Sequence, residues 1–224
     1  MMYNIPIREN GGEEMTSIAI CYPFCGAEKY AKGIGLFEAF GEGERARIDA
    51  ISSLRARDLS LRGLIALKYL ANRTEVQGEL EIQRGDNGKP YFKNSPYFFN
   101  ISHSGDISVA AISSRRVGVD IERVLSKPSF PKIAKRFFSE AEYLRYKESR
   151  ESAEEFYRIW TAKEAVVKYK GASLAQSLSE GEMKDTEVHL RSFSLKYNND
   201  IYIITVCLPC DEDFKVLDID QTTI

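Results

Sequence analysis

The 224-residue chain has no excess of basic residues, no long apolar run and few histidine or cysteine residues. Its formal net charge of -2 argues against duplex nucleic acid as the main partner, because proteins that neutralise phosphates normally carry a basic excess. No apolar run approaches membrane-spanning length, and the N-terminus lacks the basic start and apolar stretch of a secretory signal. We therefore expect a cytoplasmic protein that binds neither nucleic acid nor membranes.

The four cysteines occur as two close pairs, Cys21 with Cys25 and Cys207 with Cys210. Such pairing can indicate zinc. However, three residues separate the first pair, and both pairs overlap apolar, strand-like sequence. Reduced, half-buried cysteines are therefore favoured over a metal site.

The chain contains only two histidines. His103 lies in a Ser-His-Ser stretch that could suggest a hydrolase, but the G-x-S-x-G motif of the serine nucleophile occurs nowhere. His189 lies inside the strand-like stretch EVHLRSF, where a structural role is favoured.

What is present is the composition of a folded globular protein, with 43% hydrophobic and 29% charged residues. Residues 1–14 are polar and are expected to be a loose extension. The segment 45–73 predicts one helix or two in succession, with Asp58 as the cap of the second. Ser139 and Glu142 predict a capping box at the start of a later helix, and Gly171 predicts a helix end.

These helices alternate with mostly antiparallel strands in both halves of the chain. The predicted fold class is α+β, with two similar halves related by a pseudo-twofold axis and an active-site cleft between them. Each half is expected to pack a helix on its strands. The predicted boundaries are 15–116 for the N-terminal half and 117–224 for the C-terminal half.

The stretch VGVDIE places two carboxylates in an apolar, β-branched strand. Asp120 and Glu122 are two residues apart, so they lie on the same face of that strand. Like charges on one face repel each other. The pattern therefore predicts either an edge strand whose acids face water, or a cation between the carboxylates.

A third carboxylate, Glu164, lies in the helical stretch WTAKEAVVKYKG, at the rim of its apolar face. Glu164 and Lys168 are spaced i,i+4 and could form an ordinary surface ion pair. Taken with Asp120 and Glu122, however, Glu164 completes a set of three carboxylates that could hold one Mg²⁺ ion.

The motifs GVDIE, FFSEAEY and WTAKEAVVKYKG, preceded by NGKPYF and FNISHSG, resemble the Sfp-type 4'-phosphopantetheinyl transferase family. The motifs occur in the family's order between Gly88 and Gly171, and the length of the chain suits the Sfp type rather than the half-length trimeric type. The resemblance implies a monomer, and an association with secondary metabolism or with fatty acid or lysine biosynthesis.

The resemblance implies roles for individual residues. Asp120, Glu122 and Glu164 match magnesium ligands, and Lys168 matches a lysine that reaches the pyrophosphate of coenzyme A, with Lys163 beside it in the same motif. The residues that match the nucleotide contacts are Lys89, Pro90, Ser102 and His103. Glu142 matches a motif acid, although a capping-box role explains it equally well. No arginine stands where the family places a 3'-phosphate contact, which leaves Arg55, Arg57 and Arg62 as candidates.

The implied reaction moves the phosphopantetheine arm of coenzyme A to a serine of an apo acyl, peptidyl or aryl carrier protein and releases 3',5'-ADP, with Mg²⁺ as the cofactor. Glu164, or a water molecule on the ion, would accept the serine proton, and Lys168 would stabilise the leaving phosphate.

The basic stretch KIAKRFF is a candidate face for an acidic carrier protein, or simply an amphipathic helix. Two other hypotheses remain: a different magnesium-dependent enzyme that cleaves pyrophosphates, and a non-catalytic module that binds coenzyme A or carrier proteins.

Overall fold

A computed structural model describes residues 16–74, 76, 79–127, 129–171, 188–220 and 222–223. The predicted N-terminal extension, residues 1–14, lies outside the described residues. In the part of the chain that is described, no helix is both long enough and apolar enough to cross a membrane.

In the part of the first half that the structure describes there are four helices and five strands. In chain order they are β1 Thr16–Cys21, α1 Ala27–Gly33, α2 Leu36–Phe40, α3 Glu42–Asp49, α4 Leu54–Arg73, β2 Ile82–Arg84, β3 Pro90–Phe92, β4 Phe98–Ser104 and β5 Ile107–Ser113. The described residues of the second half form three helices and four strands. They are β6 Gly118–Arg123, α5 Phe130–Phe137, α6 Glu140–Glu148, α7 Ala153–Lys170, β7 His189–Tyr197, β8 Asp200–Leu208 and β9 Phe214–Ile219. The predicted α+β class is confirmed.

Two sheets form the centre of the molecule. The first has the strand order β4-β5-β1-β9 and is antiparallel except that β9 runs parallel to β1. The second has the order β6-β8-β7 and is antiparallel throughout. Helix α4 packs on the first sheet and helix α7 on the second, so each half carries a long helix on its strands, as predicted.

The facing sides of the two sheets share one apolar core. Ile18, Val109 and Ala111 contribute from the first sheet, and Val119 and Ile204 contribute from the second. All five side chains are fully buried. This shared core fixes one half against the other, because burial of apolar surface is the main favourable term in folding.

The two predicted helix-end signals at Ser139 and Gly171 are confirmed. Ser139 and Glu142 form a complete capping box at the start of α6, and α7 ends at Gly171, which has a left-handed backbone. Strands β7 and β8 are joined by Asn198 and Asn199, both with positive φ.

Segment 45–73 contributes to two helices, α3 and α4, but the predicted cap of the second was wrong. Ser53 caps α4: its backbone is extended and its hydroxyl accepts a hydrogen bond from the amide of Ala56. Asp58 lies inside the helix and pairs with Arg62 at 2.8 Å. The residue that caps α4 therefore lies in the short connection between the two helices.

All four cysteines are free. Burial raises the pKa of both Cys21 and Cys207 to about 12, so these thiols stay protonated at neutral pH. Cys25 is exposed, and Cys210 is half-buried.

Helix α7 lies unusually close to β6, and Gly118 makes this possible. A Cβ atom built at Gly118 would stand 2.1 Å from the carbonyl oxygen of Ala165 and 2.7 Å from the amide nitrogen of Tyr169. Both clashes are with helix backbone, which cannot move aside as a flexible side chain can. The absence of a side chain at Gly118 therefore sets the distance between the helix that carries Glu164 and the strand that carries Asp120.

We expect Gly118→Ala to push α7 away from β6 and to lower the free energy of unfolding by about 1–3 kcal/mol or more, the usual range for overpacking. Urea unfolding measures this. Gly43→Ala is the matched control, because Gly43 lies in α3 with nothing within 4 Å of a built Cβ. Its free energy of unfolding should stay the same or rise, since alanine is the better helix former. Equal stability of the two variants would contradict this account of Gly118.

Candidate active site

Strands β4 and β6 lie side by side at the junction of the two sheets, and side chains of β4 hydrogen-bond to β6. Asn100 accepts a hydrogen bond from the backbone amide of Val119 at 3.0 Å. Ser102 and Ser104 donate hydrogen bonds to Asp120 and Glu122 respectively. We call this row the seam: Asn100, Ser102 and Ser104 on β4 with residues 119–123 on β6. The seam places both carboxylates of the VGVDIE motif between the halves.

Asp120 is buried, with 4% of its surface exposed. Its Oδ1 accepts hydrogen bonds from the Ser102 hydroxyl at 2.8 Å and from the Lys168 ammonium at 2.7 Å. Its Oδ2 has no hydrogen-bond partner among the described residues. A buried carboxylate oxygen without a partner is costly, and a cation would satisfy it.

Glu122 is half-buried, and its Oε2 accepts a hydrogen bond from Ser104 at 2.7 Å. Burial raises the pKa of Glu122; the Ser104 hydroxyl opposes that rise, and the charge on Asp120 adds to it. The prediction that these two carboxylates repel each other on one face therefore agrees with the electrostatics of the structure.

Glu164 reaches the same region from α7. Burial raises its pKa, and the charges on Asp120 and Glu122 contribute in the same direction, while Lys168 opposes them. Lys168 is not paired with Glu164 here: its ammonium contacts Asp120 and Ser102, each at 2.7 Å. The ordinary surface i,i+4 pair is therefore not what the structure shows.

Asp120 and Glu122 lie close enough to Glu164 to contribute to its raised pKa, but the three carboxylates do not form a finished coordination shell. Among the described residues, no three acidic, histidine or cysteine side chains are placed close enough to hold one metal ion. The donor set nevertheless suits Mg²⁺, since it consists of carboxylate oxygens and includes the unsatisfied Oδ2 of Asp120. Sharing one ion would require side-chain rotation, and Glu164 accepts no hydrogen bond from the described residues that would hinder it.

Lys163 faces α6 rather than the carboxylates. Its ammonium lies 2.8 Å from Oε2 of Glu142, and the residue is 5% exposed. The same Glu142 oxygen accepts the backbone amide of Ser139 in the capping box. Glu142 therefore fills the predicted capping-box role, and its pair with Lys163 also ties α6 to α7.

Lys89 joins the turn between β2 and β3 to the end of α7. Its ammonium donates hydrogen bonds to the carbonyl oxygens of Lys168 and Tyr169, at 2.5 and 3.0 Å. Burial, and then the positive charge of Arg116, lower the pKa of Lys89 to about 8. Lys89 is therefore a cation that can lose its charge near neutral pH.

His103 lines a cavity of about 190 Å³ that Pro90 also borders. Reduced solvation lowers the pKa of His103, and the Lys168 charge adds to this effect. Ser102 and His103 belong to strand β4, which continues to a tight turn at Gly105 and Asp106.

Two arginines that the sequence did not single out line the same cavity. Arg47 and Arg84 both pair with Glu44, which is 2% exposed, at 2.8 and 2.7 Å. Two cations around one carboxylate leave a local positive charge. These arginines come from α3 and β2, and no spacing in the sequence relates them to His103.

The three arginines proposed from the sequence are engaged elsewhere. Arg55 binds Asp106 at 2.7 Å, Arg57 donates to backbone carbonyl groups before α4, and Arg62 pairs with Asp58. None of the three lines the His103 cavity.

The 4'-phosphopantetheinyl transferase superfamily model matches residues 116–213. A relative named 4'-phosphopantetheinyl transferase AcpT, from Salmonella typhi, is 32% identical over 155 residues, which cover 66% of this chain and 79% of the relative. The chain belongs to the 4'-phosphopantetheinyl transferase superfamily.

Other superfamily members match over shorter stretches. The transferase Sfp of Bacillus subtilis is 36% identical over 124 residues, 54% of this chain and 53% of Sfp, and psf-1 of Bacillus pumilus is 38% identical over 149 residues, 64% of this chain and 60% of psf-1. The chain thus spans about half the length of Sfp. The superfamily region contains Asp120, Glu122, Glu164 and Lys168, whereas Lys89 and His103 precede it.

If Asp120, Glu122 and Glu164 hold a divalent cation, the cation should stabilise the fold. We expect Mg²⁺ at ten times its dissociation constant to raise the free energy of unfolding by about 1.4 kcal/mol, through mass action on the folded state. Thermal unfolding with and without MgCl₂ measures this, with NaCl at equal ionic strength as the control. Asp120→Asn should remove the Mg²⁺ response. A stabilisation that persists in this variant would exclude Asp120 as a ligand.

Proposed function

We propose that the protein transfers the 4'-phosphopantetheine arm of coenzyme A to a serine of an apo carrier protein and releases 3',5'-ADP. The observation that carries this proposal is the position of Asp120, Glu122 and Lys168 at the seam, with Glu164 near enough to feel their charges, within the region that matches the superfamily. The acceptor would be an acyl, peptidyl or aryl carrier protein. The monomeric state and cytoplasmic location stay predictions.

In the proposed reaction the serine oxygen attacks the β-phosphorus of coenzyme A. A new phosphorus–oxygen bond forms, the bond to the bridging oxygen breaks, and 3',5'-ADP leaves with that oxygen. Such transfers depend mainly on positioning and on neutralisation of charge. Asp120, Glu122 and Glu164 would hold Mg²⁺, which when bound withdraws charge from the pyrophosphate.

Glu164 is the proposed base that takes the serine proton. Its carboxylate accepts no hydrogen bond from the described residues, so it is available to the incoming hydroxyl. Lys168 is the proposed partner of the leaving phosphate: its ammonium already lies at the seam, 2.7 Å from Asp120. Moving a short distance from that carboxylate to a phosphate oxygen would exchange one anion for another.

The nucleotide of coenzyme A would lie on the first half of the protein. We propose that His103, Arg47 and Arg84 hold the 3'-phosphate in the cavity that they share, since all three can donate hydrogen bonds to an anion. Ser102 and Pro90 would border the nucleotide. Lys89 would meet a phosphate from the end of α7, whereas the buried pairing of Lys163 with Glu142 supports a role for Lys163 in holding α7.

The proposed carrier face is α5. Lys132, Lys135 and Arg136 are exposed on this helix, and Phe138 beside them is buried. Phe137 is half-buried against Trp160 of α7, with ring centres 6.1 Å apart. A small acidic protein docked on α5 would therefore lie next to the helix that carries Glu164.

The test is to incubate the protein with coenzyme A, Mg²⁺ and a panel of apo carrier proteins and to measure the mass gain of phosphopantetheine. Asp120→Ala should abolish the gain. Glu164→Gln should lower kcat by about 10²–10⁴-fold, the usual contribution of a general base. Glu154→Gln is the matched control: Glu154 lies on the same helix, paired with Arg158, and its loss should leave kcat unchanged. Cleavage of nucleotides without a carrier, or binding without turnover, would contradict the proposal.

The pKa of Lys89 predicts a pH dependence. Below pH 8 the ammonium is charged and attracts phosphate; above pH 8 it becomes neutral, so the KM for coenzyme A should rise between pH 7 and pH 9. Lys89→Arg should remove that rise, because arginine stays charged. Lys89→Met should show a high KM at every pH. The same rise in all three proteins would assign the effect to another group.

A further inference from the structure

Ser104 has no assigned role, yet its hydroxyl makes two hydrogen bonds at the seam. It accepts one from the backbone amide of Arg123 at 3.0 Å and donates one to Oε2 of Glu122 at 2.7 Å. Because the amide occupies a lone pair of the hydroxyl oxygen, the hydroxyl hydrogen is directed toward Glu122. Ser104 therefore holds both the backbone and the side chain of the strand end that carries this carboxylate.

The donation from serine to carboxylate repeats two residues earlier, where Ser102 accepts its own hydrogen bond from the Lys168 ammonium. Ser102 donates to Oδ1 of Asp120, and Oδ2 of Asp120 is the buried oxygen without a partner. Each serine thus binds one oxygen of a carboxylate and makes no hydrogen bond to the other oxygen. Serines two residues apart on β4 match carboxylates two residues apart on β6, because both strands have a period of two.

We propose that Ser104 is a positioning residue that fixes Glu122 with one oxygen presented to the cation, as Ser102 does for Asp120. This rests on the proposed function, in which these carboxylates hold Mg²⁺. Groups that orient metal ligands commonly change metal affinity by 10–100-fold when they are removed. Ser104 acts through Glu122 and contacts neither the ion nor the substrate.

A purely structural role for Ser104 makes a different prediction. If the hydroxyl only satisfies the Arg123 amide, its loss lowers stability and leaves cation affinity unchanged, with or without Glu122. If the hydroxyl positions Glu122, removing it weakens cation binding, and this weakening disappears once Glu122 has been replaced. Cation affinity in a double-mutant cycle separates the two roles.

The experiment measures the Mn²⁺ dissociation constant by electron paramagnetic resonance, with coenzyme A present so that weak variants stay measurable. Ser104→Ala should raise the Mn²⁺ dissociation constant about 10-fold. Ser108→Ala is the matched control: this buried serine lies on the next strand and donates to the carbonyl of Leu59, so its loss should leave the constant unchanged. In a Glu122→Gln background, Ser104→Ala should change the constant less than twofold.

The other possible results count against the inference about Ser104 or against the proposed metal site. If wild type binds Mn²⁺ and Asp120→Ala does not, but Ser104→Ala binds like wild type, the inference fails and the proposed function stands. If Ser104→Ala lowers Mn²⁺ affinity equally in the wild-type and the Glu122→Gln backgrounds, the inference is also overturned. If wild type itself binds no Mn²⁺, the metal part of the proposed function fails, and the inference fails with it. Should Ser104→Ala not fold, Ser104→Cys replaces it, since a thiol is a weaker donor and should shift the constant in the same direction.

Discussion

The candidate site depends on the side-chain hydrogen bonds that join two sheets at the seam. Strands β4 and β6 belong to different sheets and share no backbone ladder, so polar side chains supply the connection. A buried amide such as that of Val119 would be costly without a partner, and Asn100 provides one. The same row of side chains orients Asp120 and Glu122. The side chains that bridge β4 and β6 therefore also arrange the acidic site.

Repulsion between the carboxylates at this junction is offset by a neighbouring cation. The charge on Asp120 adds to the raised pKa of Glu122 and of Glu164, and the Lys168 ammonium lies against Asp120. The contact between α7 and β6 at Gly118 keeps these groups near one another although they repel. Fold stability that comes from the apolar core between the sheets can support a cluster that is unfavourable in itself, as functional sites often require.

The sequence predicted those features whose causes are local. The capping box of Ser139 and the end of α7 at Gly171 are set by a few neighbouring residues, and the D-x-E pattern fixes the face of a strand. Ser104 was missed, although polar residues at every second position from Asn100 gave a readable signal. Arg47 and Arg84 were missed because only tertiary packing brings α3 and β2 to His103. The cap at Ser53 was missed because Asp58 is an equally good cap by residue type.

The parallel pairing of β9 with β1 joins residues almost two hundred positions apart. Strand β1 lies in the interior of its sheet, between β5 and β9. While the chain is being synthesised, one edge of β1 therefore stays uncovered until β9 leaves the ribosome. At typical elongation rates of about 5–20 residues per second, that delay lasts roughly ten seconds or more, during which a neighbouring nascent chain could pair with the open edge. Arrival of the last strand closes it.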